Sequence, residues 1–252
     1  MKPSLLLGVF CAAFIAALAV AAPATLLGAL VERSSAGRLV LAQPDGTIWR
    51  GAAYLASSAG RAAGVPVAWK FGSGELWRGR VAGEIAFGTK APIPVSFAIG
   101  EVAVGRGEAT VPAALLAEID SMPAAHGIGG EVRVMIEELR VTHTAITLRA
   151  HADWIGASIA MSDVVPLGAV RVALSGAGRS IGIVISALRG PLGVEGTGEW
   201  SERGLSVEGR VRVVPADASG PNQVESLRSF LRLAVTEQGD GSYQFRIPAA
   251  VR

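Results

Sequence analysis

The sequence has few of the residues from which disulfide-stapled folds and metal sites are built. Of its 252 residues only one is cysteine, Cys11, and three are histidine. A single cysteine excludes an intramolecular disulfide, so a secreted domain of this composition must rely on its hydrophobic core. The histidines, His126, His143 and His151, lack the i, i+4 spacing of a helical metal pair, and no cysteine can join them as a ligand. We therefore predict no metal and no cofactor.

Patterns that would indicate catalysis are weak as well. The stretch 175–178, Ser-Gly-Ala-Gly, lacks the lysine and the helix of a phosphate-binding loop and predicts a turn. Glu137 and Glu138 are adjacent, so in a strand they face opposite sides and cannot form a carboxylate pair; neither Asp153 nor Asp163 complements them. An envelope hydrolase would have to assemble a triad from a serine, a histidine and an aspartate. The sequence favours a protein that is not an enzyme.

Charge is also scarce and nearly balanced. Only 17% of the residues are charged, and 23 basic residues face 21 acidic ones, for a net charge of +2. No run of lysine or arginine is interleaved with aromatic residues, as a nucleic-acid interface would require. We expect no nucleic acid partner.

The N-terminus carries one long apolar run, residues 5–22, preceded by a single charge, Lys2. As a helix this run would be about 27 Å long, enough to cross a bilayer core. The small residues Ala19-Val20-Ala21 also fit the cleavage site of a signal peptide, although the run exceeds the usual apolar length of such a peptide. We favour an uncleaved anchor: residues 1–4 on the cytoplasmic side, 5–22 in the membrane, a linker over 23–37, and a domain over 38–252 on the far side of the membrane.

Past this run the dominant pattern is alternation of apolar and polar residues, which predicts strands. The clearest case is residues 206–213, SVEGRVRV. Thirty-two glycines punctuate these runs at the spacing of hairpins and bends. We predict an all-β fold, mainly antiparallel, as a strongly curved sheet or a sandwich-like meander. The candidate strands are 38–43, 47–56, 65–71, 81–87, 93–99, 132–136, 139–149, 154–161, 170–174, 181–186, 206–213 and 243–247.

Two short helices are predicted after the anchor. Residues 112–119 begin with proline, which is favoured at a helix start. Residues 222–235 place Val224, Leu227 and Leu231 on one face, as in a helix packed on a sheet. A Trp–turn–strand pattern near Trp77 recurs near Trp200, which suggests two similar halves, about 38–125 and 130–252.

Tryptophan is over-used relative to the other aromatic residues, with five Trp against seven Phe and two Tyr. Large rings can anchor a core or its rim, or they can form contacts with a partner. Two of them, Trp49 and Trp77, are each followed by an arginine, Arg50 and Arg78. Because aromatic and arginine side chains dominate interface hot spots, we expect these four residues to form a contact surface.

The element Gly46-Thr47-Ile48-Trp49-Arg50-Gly51 follows the apolar run and precedes a second tryptophan strand, Val67-Ala68-Trp69. This order resembles the type II secretion system protein N family, in which an inner-membrane anchor precedes a GT-x-W-x-G element. The resemblance continues in three later segments: residues 111–116, Trp154 with Val165-Pro166-Leu167-Gly168, and the C-terminal helix followed by residues 239–243.

The resemblance implies an accessory subunit of the inner-membrane platform of a Gram-negative secretion machine, which moves folded proteins from the periplasm across the outer membrane. Its expected partners are other type II secretion components, and residues 5–22 would supply the membrane contact. The family carries no established catalytic residues, so none is transferred. It is also distantly similar to AsmA-like envelope proteins, whose curved sheets are implicated in lipid handling. A lipid-binding or lipid-transfer module is therefore the alternative.

Overall fold

The alternating strands predicted from the sequence form one antiparallel sheet in a computed structural model. It describes residues 20–60, 63–117, 127–159, 167–214, 220–234, 236–238 and 241–247. Among these residues, none of the helices has the length and apolar character needed to cross a membrane. Several predicted features lie outside the described residues: most of the anchor (5–19), Cys11, His126, Asp163, residues 118–119, Val165-Pro166, Val235 and residues 239–240.

The described part of the chain contains three α-helices, a short 3-10 turn and fifteen strands. The helices are α1 (Thr25–Ser34), α2 (Ala113–Ala117) and α3 (Pro221–Ala234), and the 3-10 turn is Leu76–Arg78. The strands are β1 (Leu39–Gly46), β2 (Arg50–Ser57), β3 (Val65–Gly72), β4 (Arg80–Phe87), β5 (Ile93–Ala98), β6 (Glu101–Val104), β7 (Gly107–Pro112), β8 (Ile128–Thr142), β9 (Ile146–Ile159), β10 (Gly168–Gly178), β11 (Ile181–Arg189), β12 (Leu192–Ser201), β13 (Gly204–Val213), β14 (Thr236–Glu237) and β15 (Tyr243–Ile247).

The sheet is an almost uninterrupted meander in which each strand pairs antiparallel with the next. Its order is β1-β2-β3-β4-β5-β6-β8-β9-β10-β11-β12-β13-β15-β14, and β7 continues the line of β6 along the same edge of β8. The break between β6 and β7 lies opposite a bulge in β8 between Ile136 and Glu138. Bulges bend the strand that carries them. The prediction of a mainly antiparallel β fold with short helices is confirmed.

One face of this sheet is apolar and carries the core. Leu55 and Phe87 touch both the cluster around Trp69 and the cluster around Leu115, while Trp154 touches the latter and the cluster around Leu227. The three clusters therefore form one layer. The three helices cover it through these residues: Leu27 and Val31 of α1, Ala113 and Leu115 of α2, and Leu227 and Leu231 of α3.

The amphipathic pattern predicted for residues 222–235 is seen in α3, where Leu227 and Leu231 are buried against Tyr243 and Val211. The helix at 112–119 is observed as α2, over Ala113–Ala117. The single strand predicted over 139–149 is wrong. The chain reverses there between β8 and β9, because Thr142 Oγ1 accepts the Ala145 backbone N–H at 3.1 Å and Thr142 N donates to the Ala145 carbonyl at 2.9 Å.

An antiparallel meander places alternate connections at opposite ends of the sheet. Connections 47–49, 73–79, 99–100, 143–145, 179–180 and 202–203 share one end, which we call the turn end. The opposite end, where α2 follows β7 and α3 follows β13, we call the helix end. The helix α1 starts at the turn end, since Pro23 pairs with Thr47 and Ala24 N donates to the Gly46 carbonyl at 3.1 Å.

Large aromatic side chains lie against glycines of neighbouring strands on the apolar face. A Cβ added to Gly51 would stand 2.6 Å from Trp69 Cζ2, and one added to Gly83 would stand 2.4 Å from Phe71 Cδ1. A Cβ on Gly209 would stand 2.6 Å from Phe245 Cζ. The missing Cβ atoms make the room that these rings fill, so the glycines are part of the packing.

Substituting Gly83 by alanine should therefore destabilise the fold. The added Cβ would also meet the Lys70 carbonyl oxygen at 2.4 Å, so the backbone itself must shift. Overpacking of this kind typically costs about 1–3 kcal/mol. The control is Gly72→Ala on the adjacent strand, whose nearest atom, the Ala82 carbonyl oxygen, is 3.5 Å away. Thermal unfolding of the full-length protein in mild detergent measures both; equal midpoints for the two variants would contradict the packing argument.

Candidate functional site

The element Gly46–Gly51 folds into the turn between β1 and β2, and its residues have local structural roles. Gly46 adopts a positive φ of 87°. Thr47 Oγ1 accepts the backbone N–H groups of Trp49 and Arg50, both at 3.2 Å. Trp69 Nε1 donates to the Thr47 carbonyl at 3.0 Å, so this buried indole is satisfied. The turn thereby holds Trp49 half-buried and Arg50 exposed at the turn end.

Trp77 and Arg78 lie in the next connection at the same end. They belong to the 3-10 turn, which Gly79 closes with a φ of 68°. The Trp77 side chain is 75% exposed, and Arg78 Cζ lies 4.3 Å from its ring centroid, within range of a cation–π contact. Phe71 N donates to the Trp49 carbonyl at 2.6 Å just before this connection. The four residues predicted as a contact surface are thus all at the turn end, on two neighbouring connections.

The turn end also exposes large apolar side chains that sequence reasoning missed. Of the fifteen exposed large hydrophobic residues in the described part of the chain, eight lie on the strand ends and connections of the turn end. They are Leu76, Trp77, Phe97, Ile99, Val102, Trp200, Leu205 and Ile247. The most exposed is Ile99, at 91%, in the tight connection between β5 and β6. The only signal in the sequence was an apolar residue immediately before a turn glycine, Gly100.

A cavity of about 790 Å³ opens at the turn end between the β8–β9, β10–β11 and β12–β13 connections. Its apolar wall includes Val141, Ile146, Trp200, Leu205 and Ile247. His143 lines it on the polar side, together with Arg179 and Glu202, which form an ion pair across its rim. We call it the turn-end cavity. Its volume is within the range of small-molecule sites.

The outer face of the sheet, opposite the core, carries an ionic ladder. Arg133, Asp153 and Arg171 are direct neighbours on β8, β9 and β10. Arg171 Nε and Nη2 donate to the two carboxylate oxygens of Asp153, each at 2.7 Å, and Asp153 is only 7% exposed. These hydrogen bonds, with the charges of Arg171, His151 and Arg133, lower the pKa of Asp153 against the opposing effect of burial.

Glu108 extends the ladder to β7. Lys90 Nζ donates to Glu108 Oε1 at 2.6 Å, and Arg133 Nε lies 3.5 Å from the same oxygen. The Lys90 hydrogen bond is the main cause that lowers the pKa of Glu108. Ladder carboxylates held ionised by arginine and lysine are poor proton donors or acceptors near neutral pH, so we assign the ladder a structural role.

The chain contains one G-x-S-x-G pattern, Gly178–Gly182, the spacing of a hydrolase nucleophile elbow. An elbow requires a strand, a sharp turn and then a helix. Here Arg179 and Ser180 form the tight connection between β10 and β11, and a strand follows. In the described residues no hydrogen bond joins Ser180 to a histidine, and no three His, Cys, Asp or Glu side chains are grouped to hold a metal.

The protein is thus a β-meander domain that helices cover on one face. Its turn end exposes aromatic side chains in or beside the connections between strands. The family described as type II secretion system (T2SS), protein N, matches residues 37–246, and the chain belongs to this family. The resemblance to this family is thus confirmed, and membership implies an accessory role in type II secretion. Searches of curated proteins and of solved structures found no match.

Loss of the Asp153 carboxylate should lower stability in a pH-dependent way. Because its pKa is lower in the folded state, its contribution is present above the ordinary aspartate pKa of about 3.9 and is lost as pH falls through the folded value. We expect Asp153→Asn to unfold at a lower temperature than wild type at pH 7, with the gap narrowing at acidic pH, below about 3.9.

Glu208→Gln is the matched control, because Glu208 pairs with Arg246 at 3.0 Å on the same face but both side chains are exposed. Its midpoint should differ little from wild type at either pH. Thermal unfolding across pH checks both variants; a gap for Asp153→Asn that does not change with pH would contradict the ladder assignment.

Proposed function

We propose that the protein is an inner-membrane-anchored periplasmic subunit that supports type II secretion by contacts with other components of the machine. In this proposal residues 1–4 are cytoplasmic, residues 5–22 form the anchor, 23–37 are a linker and 38–252 form the periplasmic domain, as two similar halves. The family match over residues 37–246 is the observation that carries it. The charged groups of the ionic ladder are paired with one another, which suits a structural role better than catalysis.

The contact surface in this proposal is the set Trp49, Arg50, Trp77 and Arg78. Trp77 offers a large, rigid and exposed ring, and Arg78 stacks against it, a pairing typical of interface hot spots. Trp49 is half-buried and its turn is tied to β3, so its truncation would also disturb the fold. Trp77 is therefore the better residue to test.

Trp77→Ala should reduce capture of secretion components while leaving stability unchanged, because an exposed ring contributes little to the core. The measurement is an affinity pull-down of the tagged full-length protein from gently solubilised membranes of a secreting strain, with the captured proteins identified by mass spectrometry. Secretion of a reporter exoprotein is assayed in parallel.

The matched control is Tyr54→Ala, an aromatic residue 47% exposed on the outer face of β2. It should capture the same components as wild type. If wild-type protein repeatedly captures no secretion component, the proposed function is wrong. If Trp77→Ala and Tyr54→Ala capture partners equally well, the proposed surface is wrong.

The turn-end cavity favours a second candidate, an AsmA-like module that binds or transfers lipid. Its wall combines residues of β8 with Ile247 of β15, six strand positions apart. In a flat sheet these strands would be about 29 Å apart at 4.8 Å per strand, so a shared cavity favours a sheet that bends toward its apolar face. An apolar cavity with a polar rim suits an acyl chain with a charged headgroup.

In this alternative, phospholipid should co-purify with the protein in a fixed molar ratio, and Leu205→Asp should reduce that ratio several-fold. Leu205 lines the cavity but is partly exposed, so the variant should fold. Native mass spectrometry of detergent-purified protein measures the ratio, with Leu188→Asp at the helix end as control. Wild-type protein free of phospholipid would count decisively against this candidate.

A further inference from the structure

The chain enters the described fold at the turn end. Ile48 N donates to the Ala22 carbonyl at 3.0 Å, Pro23 pairs with Thr47, and Ala24 N donates to the Gly46 carbonyl at 3.1 Å. The apolar run, residues 5–22, therefore finishes within hydrogen-bonding distance of the β1–β2 turn. Wherever that run lies in a membrane, the turn end is the part of the domain nearest to it.

The same end carries the exposed apolar side chains. Ile99 stands at the tip of the β5–β6 connection, flanked by Phe97 and Val102, and all three are exposed. Phe97 is held edge-on against Phe71, with ring centroids 6.1 Å apart. A Cβ on Gly79 would stand 3.1 Å from Ile99 Cδ1, so this tip borders the connection that bears Trp77. The three residues Phe97, Ile99 and Val102 we call the apolar tip.

The position of the chain entry and the exposure of the apolar tip both indicate that a membrane surface covers the tip. Exposed aliphatic and aromatic residues backed by arginine match the composition of segments that bury their apolar side at a membrane–water interface. Arg78 and Arg80 border the tip, and the Arg80 side chain is 59% exposed, with a long ion pair to Glu75 at 4.0 Å that solvent also reaches. An arginine can reach lipid phosphates while an adjacent ring sits at headgroup level.

We propose that the apolar tip is inserted in the lipid headgroup and upper acyl region of the membrane that the anchor crosses. The turn end of the domain then faces the bilayer. This orientation rests on the proposed anchor. This orientation brings the contact surface, with Trp77 and Arg78, to the level of the membrane. There the surface would meet the membrane-proximal parts of partner proteins. The same orientation also directs the mouth of the turn-end cavity toward lipid.

Spin-label depth measurements on full-length protein in vesicles of phosphatidylethanolamine and phosphatidylglycerol test the orientation. Cys11→Ala removes the only native thiol, and Ile99→Cys then provides a single labelling position. The control is Leu188→Cys in the same background. Leu188 is 45% exposed and lies toward the helix end, about 23 Å along β11 from its first residue at 3.3 Å per residue.

The label at position 99 should be several-fold more accessible to oxygen than to a water-soluble nickel complex, whereas the label at 188 should show the reverse. Flotation of the unlabelled protein after a carbonate wash reports the anchor separately. Flotation with both labels equally open to the nickel complex would overturn the orientation and leave the anchor intact. Protein that does not float would overturn the anchor and the orientation together.

Discussion

The contact on which this fold most depends is that between large aromatic rings and strand glycines on the apolar face. Trp69 lies against Gly51, Phe71 against Gly83, and Phe245 against Gly209 and Gly196. A side chain on any of these glycines would push two strands apart, and the loss of a ring would leave bare backbone beneath the helices. These contacts allow wide rings to fit between the sheet and its covering helices, and they fix where α1 and α3 can pack.

The sequence predicts much of this architecture, because alternation and amphipathic spacing are local signals. Strands β3, β4 and β13 and helix α3 appear close to their predicted positions for that reason. The Thr142–Ala145 turn could not be predicted, since it contains neither glycine nor proline and depends on the Thr142 hydroxyl. The Asp153–Arg171 pair depends on the register between β9 and β10, which the alternation of each strand taken alone does not fix.

In the candidate site, too, some features follow from local sequence signals and others depend on the folded structure. The paired residues Trp49 with Arg50 and Trp77 with Arg78 stand out in sequence, and antiparallel pairing is enough to bring their turns to one end. The exposure of Ile99, Trp200 and Leu205 is different, because alternation assigns each strand residue to a face but cannot say how far the covering helices extend. The helices leave the β5–β6 and β12–β13 connections at the turn end uncovered, and only the three-dimensional structure shows this.

The placement of α1 determines how the domain responds to tension. A pull on the chain before Pro23 acts first on the hydrogen bonds of Ala22 and Ala24, and then peels α1 from β1, where Leu27 and Val31 make its contacts. The ten residues of α1 span about 15 Å as a helix and about 33 Å when extended. Once those two hydrogen bonds have broken, the helix can therefore lengthen by about 18 Å before the chain pulls on Leu39 at the start of β1.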